Sequence, residues 1–113
     1  MRVLAVVDDL MFQSKLEAAA AQMQVSLTVA ASAEAVTSAL AASPHDLAMV
    51  DLNLNRSDVF AVISALRQQA PDIRIIAYCS HVQTELQERA RQAGCLLVLP
   101  RSAFVQRLPE FLQ

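Results

Sequence analysis

Val3-Leu4-Ala5-Val6-Val7-Asp8-Asp9 is the stretch that decides how this chain folds, and Leu47-Ala48-Met49-Val50-Asp51 echoes it. Each is a short apolar run without polar alternation, stopped by carboxylates. A strand with one wet face alternates polar and apolar residues, whereas a strand apolar throughout is buried on both faces, as the central strands of a parallel sheet are. Ser26-Leu27-Thr28-Val29-Ala30 does alternate, which suits an edge strand.

Outward from these runs the same alternation of segments continues. Apolar β-rich runs at residues 2–7, 26–30, 47–50, 73–78 and 96–99 are separated by Ala-rich stretches of helical spacing at about 10–22, 33–42, 59–69, 82–93 and 103–112. Strands alternating with helices of this length imply parallel strands joined by right-handed crossovers, an α/β architecture. The punctuation agrees. Ser32 precedes Ala33-Glu34-Ala35 as a helix N-cap with an acid in the first turn. Ser43-Pro44 and Ala70-Pro71-Asp72 end the second and third helices. Gly94, the only glycine, follows the fourth helix, where a left-handed C-cap residue belongs. Pro109 predicts a last helix that is short, kinked or broken.

Composition narrows the function classes. At 113 residues, 55% of them apolar and 18% charged, the chain reads as one compact domain over residues 1–113. A net charge of −2 gives no long-range attraction for nucleic acid or an anionic membrane. A single glycine excludes a P-loop and a Gly-x-Gly-x-x-Gly turn. The opening apolar run is too short for a secretion signal, and no segment is long enough to span a bilayer, so the cytoplasm is the expected location. Cys79 and Cys95 lack metal-site spacing and are expected to be free thiols. They fall at opposite ends of neighbouring strands, about 16 Å apart, too far for a disulfide.

In an open parallel sheet, ligands bind beyond the carboxyl ends of the strands where the strand order reverses. A sheet of order 2-1-3-4-5 makes the first and third strands neighbours, which brings Asp8, Asp9 and Asp51 to one edge. Three carboxylates repel unless a cation is present. Hard oxygen ligands on a shallow rim suit Mg²⁺, and a carboxylate beside Mg²⁺ is a candidate phosphoryl acceptor. The plainer alternative for Asp8-Asp9 is a helix N-cap pair, and for Asp51 a helix-starting Asp; the combination favours the shared site.

Val6-Val7-Asp8-Asp9, Met49-Val50-Asp51-Leu52-Asn53-Leu54, Asp72-Ile73-Arg74-Ile75-Ile76-Ala77-Tyr78 and Ala90-Arg91-Gln92-Ala93-Gly94-Cys95 resemble, in order and nearly without gaps, the receiver domains of two-component response regulators, the CheY-like superfamily. The resemblance implies a flavodoxin-like (βα)5 three-layer sandwich around a five-stranded parallel sheet of order 2-1-3-4-5. It implies that Asp8 and Asp9 hold Mg²⁺ together with Asp51 and the backbone carbonyl of Asn53, and that Asp51 accepts the phosphoryl group. It implies a histidine kinase or phosphotransfer protein as donor, a downstream protein partner, and a homodimer through the face of helix four, strand five and helix five. It implies no enzymatic turnover, nucleic acid or membrane. With nothing following residue 113, output is expected through protein contact, although a piece of a longer protein would read the same.

The departures from the family fall on its switch apparatus. Counting back from Gly94 puts Cys79 where the family has Thr or Ser, with Ser80 next to it; a thiol is a poor hydrogen-bond donor. Arg101 stands at the family's lysine position, and Lys15, the one lysine beside eight arginines, lies in the first helix and does not easily replace it. Val98 takes the place of an aromatic switch residue, and Asn55 and Val59 replace a Pro and a Gly after Asp51. Such an atypical member either accepts phosphoryl and transmits differently or is a phosphorylation-independent interaction module. A small hydrolase or ligand-binding flavodoxin-like domain is the remote alternative. A Cys79-His81-Asp51 nucleophilic site lacks a glycine turn to hold an oxyanion, which leaves His81 a loop residue, and His45 reads as a turn residue. Of Leu86, Ala90, Val98, Ala103, Phe104, Leu108 and Phe111, no more than two or three are expected to reach solvent.

Overall fold

The computed structural model describes residues 1–80 and 83–113; His81, which the nucleophile reading needs, and Val82, the expected start of the fourth helix, lie outside the described residues. The chain runs β1 Arg2–Val6, α1 Leu10–Gln22, β2 Ser26–Val29, α2 Ala33–Ala42, β3 Leu47–Asp51, α3 Val59–Gln69, β4 Arg74–Cys79, α4 Thr84–Gln92, β5 Leu97–Pro100 and α5 Arg101–Phe111. Three helices are N-capped by a side chain: Asp9 accepts from Met11 and Phe12 and Ser32 from Ala35, as the sequence implies, and Asp58 accepts from Phe60.

All strand pairs are parallel, in the order β2-β1-β3-β4-β5. The chain moves one way from β1 to β2 and the other way from β2 to β3. With crossovers of one hand, that reversal puts α1 and α2 on opposite faces. The core divides accordingly. Leu4, Val6, Ala48, Val50, Ile75 and Ala77 pack with α2, α3 and α4, while Val3, Ala5, Val7, Met49, Ile76 and Tyr78 pack with Phe12 and Leu16 of α1 and Phe104, Leu108 and Phe111 of α5. Alternate residues of β1 and β3 therefore serve both layers, which is why those runs carry no polar position. In β2, Leu27 and Val29 are half-buried and Ser26 and Thr28 exposed, as an edge strand requires.

One expectation is overturned: α5 starts at Arg101 and continues through Pro109 to Phe111 without a break. The proline falls in the last turn, where one amide is lost, and the turn is closed by Leu112 N–H donating to Leu108 O at 3.1 Å. Leu108 and Phe111 on either side are anchored in the core. Five of the seven apolar residues of the α4, β5 and α5 face are buried; Leu86 and Ala103 are partly exposed, within the expected number. His45 bonds Ser43 O and Thr28 Oγ1, a turn role, and both cysteines are free and buried.

Two helices end in the same motif. After α4, Gly94 N–H donates to Arg91 O and Cys95 N–H to Ala90 O, with Gly94 at φ 110°. After α1, Gln24 N–H donates to Ala21 O and Val25 N–H to Ala20 O, with Gln24 at φ 57°. Both are Schellman closures, but only one uses glycine. A Cβ on Gly94 would lie 3.0 Å from Arg67 Nε, whose guanidinium is tied to Pro71 O and Ile73 O. Gly94→Ala is expected to destabilise the fold by about 1–2 kcal/mol, and Gln24→Gly to stabilise it by roughly 0.5–1 kcal/mol, both read from urea denaturation midpoints.

Candidate functional site

The reversal of strand order falls between β1 and β3, and the carboxylates gather there. Asp51 closes β3 and is only 2% exposed; Asp8 and Asp9 follow β1 and are partly exposed. Each is committed differently. Asp9 Oδ1 takes the amides of Met11 and Phe12 at 3.0 and 3.2 Å, so the N-cap reading holds for this residue. Asp8 Oδ2 accepts from Asn55 N and Arg56 N at 2.9 and 3.0 Å, and its Oδ1 from Asn55 Nδ2 at 3.2 Å. Asp8 thus stitches the β3–α3 loop to the end of β1. A proline at position 55 could not donate the first of those bonds. Asp51 Oδ1 accepts Asn53 N–H at 2.8 Å.

The remaining oxygens face Arg101 at the start of α5. Its Nη2 lies 3.6 Å from Asp51 Oδ2 and its Nη1 lies 4.0 Å from Asp9 Oδ2. The guanidinium also lies over the Phe12 ring at 4.6 Å and, more distantly, over Tyr78. Arg101 therefore reaches Asp51. Lys15 is nearer the site than expected: it lines the same open cleft as Phe12, Ser80 and Arg101. Among the described residues it makes no ion pair with the acids.

Of the two candidates at the end of β4, Ser80 is the one on the cleft. Cys79 has no exposed surface, and its Sγ lies 3.6 Å from Gln87 Nε2 and 3.9 Å from Leu99 O, in the α4–β5 interior. Asn53 is a residue whose side chain the sequence did not single out. Its Oδ1 accepts Ser80 N–H at 2.7 Å and its Nδ2 donates to Gln83 Oε1 at 3.0 Å, which ties the end of β4 and the N-cap of α4 to the acidic rim. An Asn two residues after the strand-ending Asp was the available signal. Leu10 and Met11, 76% and 87% exposed beside Asp9, were also missed; apolar residues opening an amphipathic helix read as core.

Among the described residues the expected Mg²⁺ cradle is not preassembled. Mg²⁺ demands near-octahedral oxygen coordination at about 2.0–2.1 Å. Here both oxygens of Asp8 and one each of Asp9 and Asp51 are spent on N–H donors, and the other two face a guanidinium. Among the described residues no group of three or more His, Cys, Asp or Glu stands close enough to hold a metal ion. The arrangement does fit an anion-accepting carboxylate, with one oxygen oriented by an amide and the other beside an oxyanion-binding side chain.

Residues 3–113 match the family described as response regulator receiver domain. Among solved structures, the fold is similar to NtrX from Brucella abortus (TM-score 0.82, 17% identity, 98% of this chain and 27% of that one). It is similar also to the receiver domain of that protein alone (TM-score 0.80, 17% identity, 96% and 98% of the two chains). A third is a response regulator from Burkholderia pseudomallei with a phosphorylated aspartic acid, calcium ion and citrate (TM-score 0.85, 20% identity, 99% and 66%). The chain thus spans about a quarter of full-length NtrX. No curated protein matches the sequence significantly.

Burial raises the Asp51 pKa above its ordinary 3.8, and Asp8 and Asp9 add to the rise; the Asn53 amide and Arg101 oppose it. The folded chain consequently holds this proton more tightly than the unfolded chain does. Stability is lost as pH climbs from the unfolded value through the raised one, and the loss is complete only above the raised one. Asp51→Asn is therefore expected to raise the melting temperature at pH values above the raised one, with the gain shrinking as pH falls toward about 4 and absent below it. Melts of both chains across that range check it.

Proposed function

Because this chain belongs to the response regulator receiver domain family, we propose that it accepts a phosphoryl group on Asp51 and passes the signal on by protein contact, as an acceptor rather than an enzyme. The observation that carries this is the state of Asp51: a buried carboxylate with Oδ1 held by the Asn53 amide and Oδ2 beside Arg101. The donor is a phosphohistidine on a histidine kinase or phosphotransfer protein. Asp51 Oδ2 attacks phosphorus, the P–N bond breaks, and its electron pair returns to the donor imidazole, which takes a proton; an acyl phosphate remains on Asp51. The Arg101 guanidinium is placed to bind the non-bridging oxygens, and Ser80 lines the same cleft.

Leu10 and Met11 offer the donor protein an apolar contact beside Asp9. The output surface is the α4–β5–α5 face, where Leu86, Leu97 and Leu99 are partly exposed and Leu96 is 68% exposed; a downstream partner or a second copy of the chain is the occupant proposed. No helix among the described residues is long and apolar enough to cross a membrane, and the cytoplasm is the compartment in which histidine kinase domains would meet this one.

The chain incubated with acetyl phosphate or beryllofluoride, with and without Mg²⁺, is expected to show an adduct by intact mass or by amide NMR shifts that Asp51→Asn abolishes. No adduct in the native chain, or the same adduct in Asp51→Asn, would leave an interaction module that carries no phosphate. Replacing Leu10 and Met11 by Ser is expected to weaken transfer from a protein donor by about tenfold or more, and transfer from acetyl phosphate far less.

A further inference from the structure

We propose that the Arg101 guanidinium stands in for the divalent cation at this acidic rim, so that docking of Arg101 and binding of Mg²⁺ to these carboxylates exclude one another. The inference concerns regulation of the site described above and rests on reading that rim as the working site.

Three observations carry it. First, the two carboxylate oxygens not engaged by amides, Asp9 Oδ2 and Asp51 Oδ2, are the two that Arg101 bridges, at 4.0 and 3.6 Å. Second, the arginine is placed against a local cost. It occupies the first turn of α5, whose N-cap Pro100 supplies no side-chain bond, and a cation there opposes the helix dipole. The acids and the Phe12 ring, 4.6 Å from the guanidinium carbon, offset that. Asp9 Oδ1 holds the amide of the same Phe12, so anion and ring are fixed together. A planar guanidinium meets a ring and two carboxylates at once, which a lysine ammonium does not. Third, both oxygens of Asp8 are already hydrogen-bonded by the chain itself, through the amides of Asn55 and Arg56 and the Asn55 side chain. The Arg101 side chain is 32% exposed and borders the open cleft, so it has somewhere to go when displaced.

The test is a Mg²⁺ titration of the native chain, Arg101→Ala and Arg101→Lys, followed by amide NMR and by thermal melts. Arg101→Ala is expected to melt lower without Mg²⁺, to bind Mg²⁺ about tenfold or more tighter than the native chain, and to show at the same Mg²⁺ concentration a larger rise in melting temperature than the native chain does. Arg101→Lys is expected to fall between them. Equal Mg²⁺ affinity in native and Arg101→Ala chains, or no Mg²⁺ response in either, overturns the proposal. Should the alanine variant fail to fold, the native chain still decides. Its Arg101 Nε–H resonance must move to a solvent-exposed position as Mg²⁺ saturates, and saturation with that resonance unmoved overturns the proposal. Adduct formation at Asp51 is read separately. An adduct with unchanged Mg²⁺ affinity defeats this inference alone; no adduct, with Mg²⁺ affinity gained in Arg101→Ala, defeats the acceptor reading alone.

Discussion

Everything at the working edge of this domain follows from one buried charge. Asp51 ends the central strand β3, packed between β1 and β4, and water reaches almost none of it. Removing a carboxylate from water costs several kcal/mol even after relaxation. A guanidinium near 4 Å returns of the order of 4 kcal/mol in a surface-like environment, less where water screens it, as it does at the partly exposed Arg101. Attraction alone therefore does not cover the cost. That agrees with the direction of the Asp51 pKa, where burial outweighs the Asn53 amide and Arg101 together. The carboxylate stays strained toward neutrality, and a group that carried its charge outward to solvent-facing oxygens would relieve it.

The same edge is where the loops are tied down. Asp8 fixes the β3–α3 loop, Asp9 fixes the start of α1, and Asn53 holds Ser80 and Gln83. A continuous run of bonds leads from Asp51 Oδ1 through the Asn53 amide and side chain to Ser80 and Gln83, and Gln83 is the N-cap residue of α4. Val98, buried at the place of a swinging aromatic, offers no rotamer of that kind. In this chain the contact between Asp51 and the start of α4 runs through Asn53.

The fold was legible because its signals are local and redundant. Unalternating β1 and β3, an alternating β2, capping residues at Asp9 and Ser32, and one glycine at a helix end all point to the same architecture. Pro109 misled because a proline signals a break by its own chemistry, while the hold of Leu108 and Phe111 on the core is a tertiary fact. Gln24 in a left-handed conformation was invisible for a related reason: only glycine or asparagine advertises that position. At the site, the acids and Arg101 were legible by residue type and order. What each acid bonds was not, since the amides of Asn55 and Arg56 carry no side-chain signature, and a strand-ending acid reads alike whether it holds an ion or a loop.

Those unreadable bonds make the departures at positions 55 and 101 consistent with one another. Once residue 55 is not a proline, its amide is free to donate, and with Arg56 N and its own Nδ2 it meets both oxygens of Asp8. Asp9 has already given one oxygen to α1, and Asp51 one to Asn53. What is left is one oxygen on each of two acids, facing the same space, and a single planar cation on a long stem spans them. A lysine, carrying one compact charge without a stacking plane, leaves the Phe12 face unused. The acidic rim of this domain is thus met by its own chain, amide by amide and then by Arg101, and two of the residues that accomplish this, Asn55 and Arg101, stand where the sequence departs from the pattern it resembles.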